Sequence, residues 1–330
     1  MAKRFAPIPA VEAVTVDRRP FWSVMVPCFN NAALLARTLE SVLAQDEGPD
    51  RMQIEVVDDA STRDDAAEVA DRVGGGRVGY YRQPDNVGAT ANFTTCVRRS
   101  TGEWVHLLHS DDLVQPGFYE RYRDAATTCP DALMIAAQTI LIDADEEPLG
   151  ETTPVDADRG YVRDAAITIA TTNPLRCVSV VVARRAYERV GGFHPDLFHA
   201  NDWEMWARVA NAGPVAWVDE PKGLYRSHPG SDTSRLHRST AYLGDCVDAV
   251  EVIAGHFSDP AERAFVRAAG RRIVADYGFH VAHNLISEGA YRVAVANAVR
   301  SIRINPSART ARGAAEELRF ALARRLGSSQ

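Results

Sequence analysis

Three acidic clusters carry residue types and spacings that can do chemistry. The first is Val56-Val57-Asp58-Asp59-Ala60-Ser61. A carboxylate at a strand end, just before a helix, can accept hydrogen bonds from a ribose or a base edge; equally, it can cap the helix. The second is His109-Ser110-Asp111-Asp112. Adjacent carboxylates repel, so they need a cation or a turn to hold them together. Hard divalent ions such as Mg²⁺ or Mn²⁺ take one or two carboxylates plus the phosphates of a substrate. The plain alternative is an Asp-rich turn leading to Pro116-Gly117. The third is Asn201-Asp202-Trp203-Glu204-Met205-Trp206. Asp202 and Glu204 are two apart and do not share a helix face. Asp202 is either a first-turn acid or cap, or a general base presented at a cleft, while Trp203 and Trp206 read as core. Taken singly, Asn86-Val87-Gly88 and Gly191-Gly192-Phe193 are turn chemistry, and Tyr225-Arg226-Ser227-His228 is structural or solvated.

The elements that position these clusters alternate. Strands are expected at Phe21 to Val26, Ile54 to Val57, Val78 to Tyr81 and Trp104 to Leu108. Helices are expected from about Ala32 to Gln45, up to about Val73, and from Ala89 to Arg99. That alternation predicts an α/β fold with βαβ units and a parallel sheet. Ligands bind such sheets beyond the carboxyl ends of the strands, which is where the polar clusters fall. Further strands are expected at Leu133 to Ile142, Val178 to Val182 and Val215 to Val218, with a helix starting near Asp202. From about Thr240 strand signals vanish, and Ala, Arg and Glu recur at helical spacing over about 90 residues.

The chain has 330 residues, 46% hydrophobic and 25% charged, enough for one large domain or two ordinary ones. Its net charge of −7 argues against a nucleic-acid partner. The 37 basic residues comprise 35 Arg and only Lys3 and Lys222, and there are 50 Ala, a bias that fits a GC-rich bacterial genome. No apolar run approaches the ~18 residues of a transmembrane helix, and no signal core follows Met1. Five scattered cysteines, Cys28, Cys96, Cys129, Cys177 and Cys246, fit reduced thiols and a cytoplasmic location.

Read in order, the motifs say more. Val26-Pro27-Cys28-Phe29-Asn30, Leu39 to Gln45, Val57-Asp58-Asp59-Ala60-Ser61, Asn86-Val87-Gly88 and Thr101-Gly102-Glu103-Trp104 run on into His109-Ser110-Asp111-Asp112. This series resembles the nucleotide-binding half of the GT-A family 2 glycosyltransferases. Val190-Gly191-Gly192-Phe193, Asn201 to Arg208 and Tyr225-Arg226-Ser227-His228 resemble the acceptor half of the same family. The resemblance covers about Phe21 to Ser234. It implies a Rossmann-like, mostly parallel sheet flanked by helices, with a C-terminal helical extension. The corresponding divisions are 1–20 as an N-terminal extension, 21–130 as the nucleotide-sugar half, 131–239 as the acceptor half and 240–330 as the extension.

The resemblance also implies roles. Pro27 and Asn30 hold the base, Asp59 contacts it, Asp111 lies near the ribose and donor sugar, and Asp112 binds Mn²⁺ or Mg²⁺. The family often writes Asp-x-Asp-Asp where this chain has His109-Ser110-Asp111-Asp112, so one carboxylate is missing. His228 matches a further ligand to the metal or diphosphate, and Arg226 a donor to the diphosphate. The family's catalytic base falls on Asp202, with Asn201 in a position usually occupied by Glu. The activity implied is inverting transfer of one sugar from a UDP- or dTDP-linked donor. The acceptor would be a hydroxyl or amine of a small natural product or of a cell-envelope glycan or lipid precursor.

Two other readings are weighed beside it. His109 and Asn201 are compatible with a nucleotide-sugar-binding module that has lost catalysis. A sugar nucleotidyltransferase shares a sheet with terminal acids, but Pro27 to Asn31 is not its Gly-rich phosphate loop. A Gln-x-x-Arg-Trp signature, which marks processive synthases in this family, is absent. The tail is open to three roles: completing an acceptor pocket, forming a homodimer, or resting on a membrane. For the last, Ala308 to Leu326 sets Arg309, Arg312, Arg319, Arg324 and Arg325 beside Leu318, Phe320, Leu322 and Leu326. Docking on the protein's own core is the plainer alternative.

Overall fold

The computed structural model describes residues 4–16 and 18–327. The chain forms two compact units. One is Met1–Ile169 with Asn173–Asp196 and Asn201–Ser227; the other is His228–Gln330 with Ala170–Thr172 and Leu197–Ala200.

The first unit is built on a mixed sheet. Its strands are β1 (Trp22–Cys28), β2 (Met52–Asp58), β3 (Gly79–Arg82), β4 (Trp104–Leu107), β5 (Leu113–Val114), β6 (Met134–Ile142), β7 (Pro148–Glu151), β8 (Ala157–Asp158), β9 (Tyr161–Val162), β10 (Val180–Ala183) and β11 (Val215–Arg226). The main path runs β3-β2-β1-β4-β10-β6-β11-β9-β8, with β5 paired to β11 and β7 to β6. Strands β1 to β4 pair parallel with one another, Val24 lying opposite both Ile54 and His106. The helices Ala32–Leu43, Ala66–Gly74 and Ala89–Arg99 supply the crossovers that parallel pairing requires. Strand β10 then runs antiparallel to both β4 and β6, and β11 returns parallel to β6. The α/β architecture with a mostly parallel centre is therefore the observed one.

Apolar spacing explains the packing. Leu35, Leu39 and Val42 recur at i, i+4 and i+7 on the first helix, and all three are fully buried against Val24, Ile54 and Val56 of the sheet. Each such side chain contributes about 1.5–3 kcal/mol by leaving water. In the same core Trp22, Phe118, Tyr119 and Tyr122 pack together, and Phe118 stacks on Tyr122 at 4.2 Å.

Gly102 shows why the Thr-Gly-Glu-Trp segment needs its glycine. A Cβ there would lie 2.6 Å from the Trp22 carbonyl carbon and 2.7 Å from the Ser23 nitrogen. The Gly102 N–H instead donates to Ser23 Oγ, locking the entry to β4 against β1. Gly102→Ala is expected to cost about 1–3 kcal/mol, as overpacking does, read as a lower denaturant midpoint at unchanged slope.

The second unit is helical: Asp232–His237, Ala241–Gly255, Pro260–Ser287, Tyr291–Ile304 and Ala308–Gly327. Small residues let these helices close up, Gly270 facing Val250, and Gly278 facing Ser301 and Leu243. Asp245 accepts the backbone N–H groups of Phe198, His199 and Ala200 at 2.8–3.0 Å, so the loop Leu197–Ala200 is held by this unit. Phe320 stacks on His283 at 4.2 Å, and Arg309 pairs with Asp276, so both residues face the unit's own long helix. The side chains of Leu318, Leu322, Arg324, Arg325 and Leu326 lie outside the described residues. Among the described residues, no helix is long and apolar enough to cross a membrane. All five cysteines are buried, and none is in a disulfide.

Candidate functional site

The loops beyond β1, β2 and β4 converge in the first unit. At the end of β2, Asp58 is saturated. Ser61 Oγ and N–H donate to one or both of its oxygens, and Tyr80 Oη and Arg82 Nη1 donate to Oδ2. Asp59 turns the other way and accepts the N–H groups of Val87 and Gly88 at 2.8 and 2.9 Å. Asn86 donates to the Asp59 carbonyl. Asp59 thus anchors the Asn-Val-Gly turn, where Gly88 takes φ 84 immediately before the helix Ala89–Arg99. Burial pushes the Asp59 carboxyl up from its ordinary pKa, and the two N–H groups oppose that rise.

The loop after β1 is locked to the same region. Asn30 adopts φ 52, and its Oδ1 accepts from the backbone N–H groups of Thr62 and Arg63. Its own N–H donates to Ser61 Oγ. Pro27 is buried within β1 opposite Val57. Asn31 donates to Ser110 Oγ, tying this loop to the acids beyond β4.

Beyond β4, one ligand atom from each of His109, Asp111 and Asp112 lies within 4.8 Å of the others. Asp112 is 1% exposed. Its Oδ1 accepts the Arg226 N–H at 3.0 Å, its carbonyl accepts Thr38 Oγ1, and its Oδ2 is buried without a partner. His109 Nε2 is likewise buried without a partner. Burial, reinforced by Asp111, raises the Asp112 carboxyl well above the usual range. The donor set suits a divalent cation: two carboxylates and an imidazole, with one orphaned atom on each of His109 and Asp112.

Arg226 has a different job from the one its sequence position suggested. Its guanidinium is buried and engaged with the chain itself, Nε on the Asp111 carbonyl, Nη1 on the Ala144 carbonyl and Nη2 on Glu146. It braces the acidic loop. Glu146, bonded to Arg37 and Arg226, is held down to about 2. His228 belongs to the second unit, where its carbonyl accepts from Ser231 N–H and Ser234 Oγ, and it is not a member of the His109 group.

Asp202 sits in the first turn of the helix Asn201–Ala212, partly buried, and its Oδ1 accepts the Trp203 N–H at 2.6 Å. Burial raises its carboxyl above the ordinary value, opposed by that N–H and by the charges of Arg176 and His109. Asn201 is buried and donates to Thr90 Oγ1 at 2.7 Å, which fixes the start of the helix. Trp203 and Trp206 are core, Trp203 donating to the Ile169 carbonyl.

Two features were missed in the sequence. Glu204 and Arg208, an i,i+4 pair, form a buried ion pair, and Arg208 also donates to the Val190 and Gly192 carbonyls. Their spacing was the available signal. The second is that His109 stands among the acids instead of leaving a gap.

Comparison with known proteins bears on the family and the fold. Residues 23–186 match the family described as Glycosyl transferase family 2. An uncharacterized protein of Mycobacterium tuberculosis (strain CDC 1551 / Oshkosh) is 26% identical over 265 residues, 76% of this chain and 80% of that protein. Three other curated relatives are much longer, and this chain spans 29%, 24% and 20% of them. The structure of S. aureus TarS 1-349 in complex with UDP-GlcNAc superposes with a TM-score of 0.62 at 15% identity, covering 86% of this chain and 81% of that one. The mannosyltransferase PcManGT from Pyrobaculum calidifontis, in complex with GDP-Man and Mn²⁺, gives 0.52 at 18% identity, covering 99% and 87%. At such identities these structures share the fold.

Proposed function

Because residues 23–186 make this chain a member of glycosyl transferase family 2, we propose that it transfers one sugar, with inversion, from a UDP- or dTDP-linked donor to a hydroxyl or amine of a discrete acceptor. The observation that carries this reading is the group formed by His109, Asp111 and Asp112, whose ligand atoms lie within 4.8 Å of one another; a second acidic station is Asp202. One station, Asp112 with His109 and Asp111, has a buried, unpartnered ligand atom on each of Asp112 and His109. The other, Asp202, is a lone carboxylate with a raised pKa at a helix start.

The division of labour follows from the residues. Asp202 accepts the proton of the acceptor nucleophile as it attacks the anomeric carbon. The loops braced by Asn30 and Asp59 are pre-organised to receive the nucleobase, so little ordering is left to binding. Asp112, oriented by the Arg226 N–H, holds the cation together with Asp111. When bound, that cation neutralises the diphosphate and stabilises it as a leaving group. Mn²⁺ in the Pyrobaculum mannosyltransferase structure and UDP-GlcNAc in the TarS structure are consistent with such chemistry.

A thermal-shift panel of nucleoside diphosphates and their sugars, with and without Mn²⁺, tests the donor class. UDP or dTDP is expected to raise Tm in a metal-dependent way, since a ligand that binds only the folded state stabilises it by mass action. A preference for GDP or ADP, or no response to any nucleotide, overturns the reading. Donor binding without transfer or donor hydrolysis across acceptors points to a binding module instead. Chelation, or Asp112→Ala, is expected to abolish transfer, with Mn²⁺ restoring the chelated wild type only. Full activity after either treatment sinks the metal role.

A further inference from the structure

We propose that His109 is a direct nitrogen ligand of the bound cation, and that it tunes the site to Mn²⁺ over Mg²⁺; this rests on the metal-dependent reading above. Three observations carry it. The imidazole has a ligand atom within 4.8 Å of those of Asp111 and Asp112. Its Nε2 and the Asp112 Oδ2 are both buried with no partner, and a cation bound by both removes the cost of leaving them unsatisfied. The ring is also held in place. Phe93 stacks on it at 5.1 Å and 19° between planes, and Phe193, fully buried, packs edge-on against Phe93 at 5.5 Å. A histidine serving only as a solvated loop residue needs no such clamp.

The chemistry of the substitution sets the consequence. Two carboxylates and a neutral imidazole around a divalent ion sum to zero charge; three carboxylates would sum to −1. A neutral centre repels an incoming diphosphate less. Mg²⁺ prefers an all-oxygen octahedral shell, whereas imidazole suits first-row transition ions. Asp202 also feels the His109 charge, so the competing role is a proton partner of Asp202, which would leave the metal shell all-oxygen.

Pulsed EPR of the full chain with Mn²⁺, alone and with UDP, separates these roles. The wild type, and His228→Ala, are expected to show ¹⁴N modulation from a coordinated imidazole, replaced by the ¹⁵N pattern after histidine labelling. His109→Asp is expected to bind Mn²⁺ without that modulation and to lose the discrimination against Mg²⁺ in competition. Mn²⁺ bound to the wild type with no histidine nitrogen coupling overturns the proposal, and that measurement does not depend on any variant folding. So does modulation that survives His109→Asp, or that disappears in His228→Ala instead. If the six-line signal of free Mn²⁺ is unchanged by protein and UDP together, the metal-dependent reading itself fails, and this proposal with it.

Discussion

Asp202→Asn is expected to lower turnover by about 10²- to 10⁴-fold, the usual consequence of removing a general base, while leaving the fold intact. The amide keeps an oxygen to accept the Trp203 N–H that Asp202 accepts at 2.6 Å, so the first helical turn retains its bond. It also removes a burden. Burial raises the Asp202 carboxyl, meaning that the folded state disfavours its ionised form. A carboxylate of this kind destabilises the protein at pH above its unfolded value, near 3.9. The variant should therefore unfold at the same temperature as the wild type or higher at neutral pH. For the wild type, the base works only when ionised. Activity should fall as pH drops through the raised value, so the acid limb of kcat/KM lies above that of an ordinary aspartate. Near-normal turnover in a folded Asp202→Asn protein, or an acid limb that the variant retains unchanged, removes Asp202 from the base role. KM for the donor should change little, because the nucleotide loops are braced by Asp59 and Asn30 and not by Asp202.

How far the sequence exposes this site depends on what kind of interaction defines each part. The parallel strands β1 to β4 were legible because each is a short run rich in apolar residues, and the first three are each followed by a helix with one apolar face. Strand direction is another matter. Cys177 to Ala183 is one apolar run, yet its first three residues form a 3-10 turn and the rest is antiparallel to β4 and β6. Hydropathy carries no sign of direction. Strand β11 reads as ending at Val218 because Asp219 and Glu220 interrupt the pattern. In the fold, a register shift between Val218 and Gly223 absorbs that interruption, and pairing with β6 resumes to Arg226. It is this continuation that brings the Arg226 N–H to Asp112.

The acids follow the same logic. The resemblance singles out Asp59 of the adjacent pair Asp58 and Asp59, but spacing alone does not apportion their partners. The fold does, giving Asp58 to Ser61, Tyr80 and Arg82, and Asp59 to the Asn-Val-Gly turn. Arg226 is read in the sequence as a donor to the diphosphate. Its partners are mostly backbone carbonyls, which no side-chain motif records. The Asn-Val-Gly turn, ordinary in isolation, proves to be the segment that Asp59 holds.

Glu204→Ala is expected to destabilise the first unit by about 3–5 kcal/mol, the range for breaking a buried ion pair from one side. Glu204 is fully buried and Arg208 is 6% exposed, with Arg208 Nε on Glu204 Oε1 at 2.8 Å and Nη2 on Oε2 at 2.9 Å. Truncating the acid leaves a guanidinium in the interior with only the Val190 and Gly192 carbonyls to share its charge. Those carbonyls flank the Gly-Gly-Phe turn, and Gly192 packs so closely on Thr94 that a Cβ would meet it at 2.7 Å. The pair therefore clamps the Asp202 helix to that turn, and through Phe193 to Phe93 and the ring of His109. Loss of the clamp should appear first as a lower denaturant midpoint. A double substitution that replaces both residues with apolar ones of similar volume should recover much of the loss, because the cost is mainly that of an uncompensated cation. If Glu204→Ala unfolds at the wild-type midpoint, the ion pair is not the clamp and the helix is held by its buried apolar residues and the Asn201–Thr90 bond. If it is destabilised while the folded fraction retains the wild-type acid limb, the clamp is structural and Asp202 alone sets the pH profile.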